Sequence, residues 1–121
     1  MAHPNKAKGD RGEHEVLKLV TTVFPKAKRT RPGRREDEGD ILTDEFTIQV
    51  KNVKTARWEA WLGEWDEQQK RSGKPYKILV WKRAGAGARP PRYLAVMDLH
   101  ELLNFSQKCK DDGSREERGR P

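Results

Sequence analysis

The chain has little of what marks a secreted or membrane-spanning protein. Its single cysteine, Cys109, excludes an internal disulfide and any cysteine-built zinc cage. A reducing cytoplasm suits such a sequence. No apolar run approaches the roughly 20 residues that span a bilayer, and the opening "MAHPNKAKGD" lacks the apolar segment of a signal peptide. The expectation is a soluble, cytoplasmic protein with no membrane partner. Hydrophobic residues are also scarce, 33% of 121, which allows one modest core and not two. They are scarcest at the ends, so residues 1–9 read as a flexible N-terminus and 109–121 as a disordered tail.

Positive charge, by contrast, is in excess. A formal net charge of +7 favours polyanionic partners, nucleic acid first, because lysine and arginine on phosphates release condensed counterions. The charge concentrates in "KAKRTRPGRR", Lys26 to Arg35, which has six basic residues, no acidic one and the turn pair Pro32-Gly33. It reads as a flexible basic loop, and Lys28, Arg29, Arg31, Arg34 and Arg35 are its candidate DNA contacts.

Upstream of that loop, Asp10 can cap a helix that runs to about Phe24, with Pro25 ending it. Val16, Leu17, Leu19, Val20, Val23 and Phe24 fall on one side of it. Glu13 lies at the rim of that apolar side, whereas His14 and Glu15 point away. Lys8 and Arg11, beside Glu13, are further candidate phosphate contacts.

"EGDILTDEFTIQVKN", Glu38 to Asn52, reads as a hairpin with Asp44-Glu45 as its turn. Ile41 then pairs with Ile48, Leu42 with Thr47 and Asp40 with Gln49. Alternation puts Ile41, Thr43, Phe46, Ile48 and Val50 on a core face, and Asp40, Leu42, Thr47, Gln49 and Lys51 on the other. Thr55 to Ser72 is helical by the spacing of Trp58, Trp61, Leu62 and Trp65, with Gly73 as its stop. Tyr76 to Arg83 and Arg92 to Met97 are strands of a second hairpin, followed by a helix capped by Asp98. The order α-β-β-α-β-β-α describes an α/β domain around a small mixed sheet. The tryptophan stripe suits a core or a subunit interface.

On this scaffold Glu13, Asp40, Gln49 and Lys51 can converge. Three oxygen donors, Glu13, Asp40 and Gln49, suit Mg²⁺, with Mn²⁺ as a substitute. A lysine beside them can orient the attacking water and offset charge growing on phosphorus. The reaction class that follows is metal-dependent phosphodiester hydrolysis.

Asp40 with "QVK" (Gln49, Val50, Lys51) resembles the catalytic signature of the PD-(D/E)XK nuclease superfamily, and "KGDRGEHEV" (Lys8 to Val16) resembles the first helix of archaeal-type and phage Holliday junction resolvases. The likeness runs from Lys8 to the final helix. It implies a restriction-endonuclease-like nuclease domain over residues 10–108, with Glu13, Asp40 and the residue-49 side chain on Mg²⁺ and Lys51 as the catalytic lysine. It implies cleavage of four-way junctions by a homodimer, two sites being needed for two cuts, in a phage or mobile-element setting within the host cytoplasm. Trp58, Trp61, Trp65 or the 84–91 loop would supply the dimer contacts. The chain departs from the motif twice: Gly39 replaces proline, and Gln49 replaces the second acidic ligand. Some nucleases of the superfamily, transposon end-cleaving ones among them, likewise carry glutamine there. Flap, end or transposon-junction cleavage, and a DNA-binding module with a weakened site, remain as alternatives.

Overall fold

A computed structural model describes residues 4–30 and 39–118, with side chains for 11–30 and 39–113. Arg31, Arg34 and Arg35, and the side chain of Lys8, lie outside the described residues. The described chain is mixed α/β, with three helices and a five-stranded sheet in the order β1-β2-β3-β4-β5. Its elements are α1 (Pro4–Thr21), β1 (Lys28–Arg29), β2 (Ile41–Leu42), β3 (Phe46–Lys51), α2 (Trp58–Ser72), β4 (Tyr76–Arg83), β5 (Arg92–Val96) and α3 (Leu99–Arg118).

The helix boundaries differ from the sequence reading. α1 begins at Pro4, not Asp10; proline is favoured in a first turn, where its missing N–H has no helical partner to lose. It ends at Thr21, short of Phe24. There the Thr21 and Thr22 hydroxyls donate back to the carbonyls of Lys18 and Leu19, at 3.0 and 2.6 Å, which loosens the last turn. α3 continues through residues read as a disordered tail, to Arg118. Residues 109–112 are exposed, but Gln107 Nε2 donates to Asp111 Oδ1 one turn on, at 3.1 Å, a local pairing that supports a polar helix.

The hairpin register is as expected: Ile41 faces Ile48 and Leu42 faces Thr47, and the Thr43 N–H closes the two-residue turn on the Phe46 carbonyl at 2.9 Å. One strand is additional. β1 lies inside the expected basic loop and runs antiparallel to β2, with Lys28 facing Leu42 and Arg29 facing Ile41. A two-residue bridge is made by backbone groups and leaves no side-chain periodicity to read. β3 is therefore the central strand, paired on its far side with β4 in parallel, from Phe46 opposite Tyr76 to Lys51 opposite Trp81. β4 and β5 form the expected antiparallel hairpin.

Both faces of the sheet are covered. Val16 of α1 packs with Ile41, Phe46, Ile48, Val50, Tyr76 and Val80 on one face, joined by Phe105 of α3. On the other face Trp61 and Trp65 of α2 enclose Leu79. The polar side of β3 is thus largely buried, with Thr47 and Gln49 1% and 4% exposed, and α2 meets it at Gln49 through Glu64. The tryptophans are mainly core: Trp61 and Trp65 are not free for an interface, and Trp58 alone of the three is exposed. Among the described residues no helix is long and apolar enough to cross a membrane.

Candidate functional site

The site forms where β3 ends. Gln49 and Lys51 are two residues apart on this central strand, so both side chains leave the sheet on the same side, toward α2. Glu64 of α2 meets both. Its Oε2 accepts from Gln49 Nε2 at 2.8 Å and from Lys51 Nζ at 3.1 Å. Lys51 Nζ also lies 5.6 Å from the centre of the Trp61 ring, an attraction that helps hold its otherwise flexible stem. Gln49 is buried, and its Oε1 has no hydrogen-bond partner among the described residues. An unsatisfied buried carbonyl costs about 1–3 kcal/mol, so its persistence here calls for an explanation in function.

Asp40 comes to this place from β2 by a route that sequence register did not foresee. The β2–β3 ladder stops at Ile41, and Asp40 does not pair with Gln49. Instead the Asp40 N–H donates to the Ile48 carbonyl at 2.9 Å, and its Oδ2 accepts the Val50 N–H at 2.7 Å. The carboxylate therefore sits at the strand edge between the two residues of the QxK pair. Gly39 makes this approach possible. Its φ is 102° and an added Cβ would lie 2.4 Å from Thr47 Oγ1, so neither a proline nor a side chain fits. Glycine at residue 39 is thus a conformational requirement of this turn into β2.

Glu13 stands on α1, which covers the opposite face of the sheet from α2. Its Oε2 accepts from Arg29 Nη2 at 2.5 Å, and Arg29 faces Ile41 in the ladder, one residue from Asp40. Arg29, expected on DNA, is paired with this carboxylate. The helix can come so close because of Gly12, where a Cβ would lie 3.0 Å from Asn52 Cβ, just past Lys51. Lys28 and Arg11, also expected on DNA, are exposed. Arg11 lines a cleft with Glu15, Asn52, Lys82 and Gly85 that adjoins the end of β3.

Two carboxylates were missed by sequence reasoning. Glu15, read as pointing away, accepts from Tyr93 OH and Lys82 Nζ, both at 2.6 Å, and ties α1 to β4 and β5. The hydrogen bonds from Lys82 and then Tyr93 hold its carboxyl below the usual value. Burial and the bond to Glu15 push the Tyr93 phenol up to about 12. Glu64 was the other, since nothing in "WLGEWDEQ" sets it apart from Glu67 or Glu59 until α2 is docked. Gln69, in the last turn of α2, accepts from Lys77 Nζ at 2.9 Å.

Among the described residues no three His, Cys, Asp or Glu side chains gather as a metal cluster. The donors near the end of β3 are instead mixed: the Asp40 carboxylate on the Val50 N–H, the Glu64 carboxylate on Gln49 and Lys51, and the unpartnered Gln49 amide oxygen. All are oxygen donors, and Mg²⁺ is commonly held by one or two carboxylates with waters and substrate phosphate completing its shell, so the residues present fit such an ion. No family model matches the chain, and neither a curated protein nor a solved structure resembles it closely enough to count as a match.

Proposed function

We propose that the protein is a Mg²⁺-dependent DNA endonuclease with a restriction-endonuclease-like core, and that its substrate is a four-way junction cut by a homodimer. The observation that carries the reading is the unpartnered, buried Gln49 Oε1 beside Lys51 on the central strand, with Asp40 lodged between them. Asp40 and Gln49 would hold the cation, and Glu13 would join them on release from Arg29. When bound, the cation supplies an activated water and offsets charge on the phosphate. Lys51 would orient a water for attack on phosphorus and face the negative charge that grows as the phosphodiester opens. Exposed Arg11 and Lys28 steer the backbone toward the site.

A second reading, a DNA-binding module without cleavage, is favoured by the Glu13–Arg29 ion pair, which occupies one intended ligand. Four-way junction, flap and linear duplex, offered side by side with Mg²⁺ or Mn²⁺, separate the readings. Junction cleavage by the wild type, reduced at least about a hundredfold in Lys51→Ala with junction binding retained, is the expected result. Equal cutting by Lys51→Ala would refute the catalytic assignment. Binding without cutting would leave the module, and preference for flap or linear duplex would leave another nuclease of the same core.

A further inference from the structure

The second acidic ligand of the motif is absent at residue 49, yet a carboxylate lies within hydrogen-bond distance of that very side chain. Glu64 stands on α2, and its Oε2 accepts from both members of the QxK pair, Gln49 Nε2 at 2.8 Å and Lys51 Nζ at 3.1 Å. Its side chain is 52% exposed, so a cation arriving from water can reach it. Gln49, 4% exposed, cannot turn away, and its Oε1 has no partner among the described residues. The amide thus presents a satisfied donor to Glu64 and an unsatisfied acceptor beside it. A carboxylate and an unpaired carbonyl oxygen at one place are what a hard divalent cation takes, and the affinity of oxygen sites rises with ligand charge.

We propose that Glu64 is the anionic ligand that Gln49 fails to provide: the two side chains share the divalent cation, and without it Gln49 Nε2 and Lys51 Nζ hold Glu64 in place. The inference rests on the metal-nuclease reading above but concerns a residue outside the motif. It implies that the negative charge of the site has been moved from β3 to α2 rather than lost. It also assigns the Lys51–Glu64 ion pair a role: with Glu64 holding a cation, the Lys51 ammonium would be available to the water and phosphate.

The test is Mn²⁺ binding to the purified full-length chain without DNA, followed by electron paramagnetic resonance of the free ion and by calorimetry. Four proteins are compared: wild type, Asp40→Asn, Glu64→Gln, and the swap Gln49→Glu with Glu64→Gln. The swap keeps the side-chain hydrogen bond, with donor and acceptor exchanged, so it separates charge from packing. Expected are a loss of affinity of about tenfold or more in Glu64→Gln, a comparable loss in Asp40→Asn, and recovery to near the wild-type value in the swap. Wild-type affinity in Glu64→Gln, with Asp40→Asn weakened, would overturn the role of Glu64 and leave the nuclease reading standing. A swap no better than Glu64→Gln would also overturn it. No Mn²⁺ binding by the wild type would overturn both.

Discussion

Lys77 offers the sharpest test of how the scaffold is held. Its side chain is 4% exposed, and its Nζ donates to Gln69 Oε1 at 2.9 Å, Asp98 Oδ2 at 2.8 Å and Glu101 Oε2 at 2.5 Å. All three ammonium protons are thereby satisfied, and the charge lies 4.9 Å from the Trp65 ring centre. The Lys77 N–H adds a bond to Glu101 Oε1 at 2.8 Å. One residue thus ties the end of α2, the start of β4 and the first turn of α3. Lys77→Met keeps the apolar stem and removes the charge. Deleting one partner of a buried pair costs about 3–5 kcal/mol. Asp98 is half-exposed and can hydrate, and Glu101 keeps its backbone partner, so the lower end applies, about 3 kcal/mol. At about 4 °C per kcal/mol for a chain of this size, Tm falls by roughly 12 °C. Urea titration followed by tryptophan fluorescence gives the free energy directly.

The same network predicts a pH signature. Burial, the largest influence, pulls the Lys77 pKa down, but its hydrogen bonds to the Asp98 and Glu101 carboxylates outweigh it and leave the group above its usual value. A raised folded pKa means that the stabilisation is complete below the unfolded value, near 10.4, and is lost as pH rises through the folded one. The stability gap between wild type and Lys77→Met should therefore be constant at neutral pH and shrink in strong alkali. A gap under about 1 kcal/mol, as for a surface pair, or one that widens with pH, would refute the reasoning.

Gly39→Ala forces a side chain into a left-handed conformation, costing about 1–2 kcal/mol, and against Thr47 Oγ1. A total loss of about 2–3 kcal/mol is expected in urea titration, together with weaker Mn²⁺ binding as Asp40 is displaced; unchanged stability would contradict the φ of 102°. Ultraviolet titration should find a phenol ionising at about 12 that vanishes in Tyr93→Phe and ionises at lower pH in Glu15→Gln. The stabilisation tied to this raised value is complete below about pH 10 and lost as pH rises through about 12. The Glu15 carboxyl, held low, gives the opposite sign: its stabilisation is present above the usual carboxylate range and lost as pH falls through the folded value, so acid unfolding of Lys82→Met should be less steep.

What could be read in the residues was what is local. The two-residue turn at Asp44-Glu45 and the register of Ile41 with Ile48 follow from alternation and spacing alone. The stop of α2 at Gly73, in the left-handed conformation, and the pairing of β4 with β5 follow from equally local patterns. Of the candidate site, Gln49 and Lys51 were legible because a strand places residues two apart on one side. Asp40 was legible as a neighbour but not in its role at the strand edge, since the backbone at Gly39 breaks the ladder. β1, the docking of Glu64 over β3 and the bonds of Glu15 across to Tyr93 depend on elements 13 to 78 residues apart, and no window of sequence contains them. α3 outran its expected end because its polar composition was taken for disorder.

The parallel pairing of β3 with β4 has a consequence for how the site comes into being. An antiparallel hairpin can close by itself, but parallel neighbours must wait for the intervening helix to cross over. Gln49 and Lys51 precede that crossover, and Glu64 travels on it, yet what seats the helix is Leu79, on a strand still to come. A chain emerging from the ribosome would therefore carry every one of these side chains well before the packing that brings them together. Any hydrolytic power would be withheld until synthesis had passed the fourth strand.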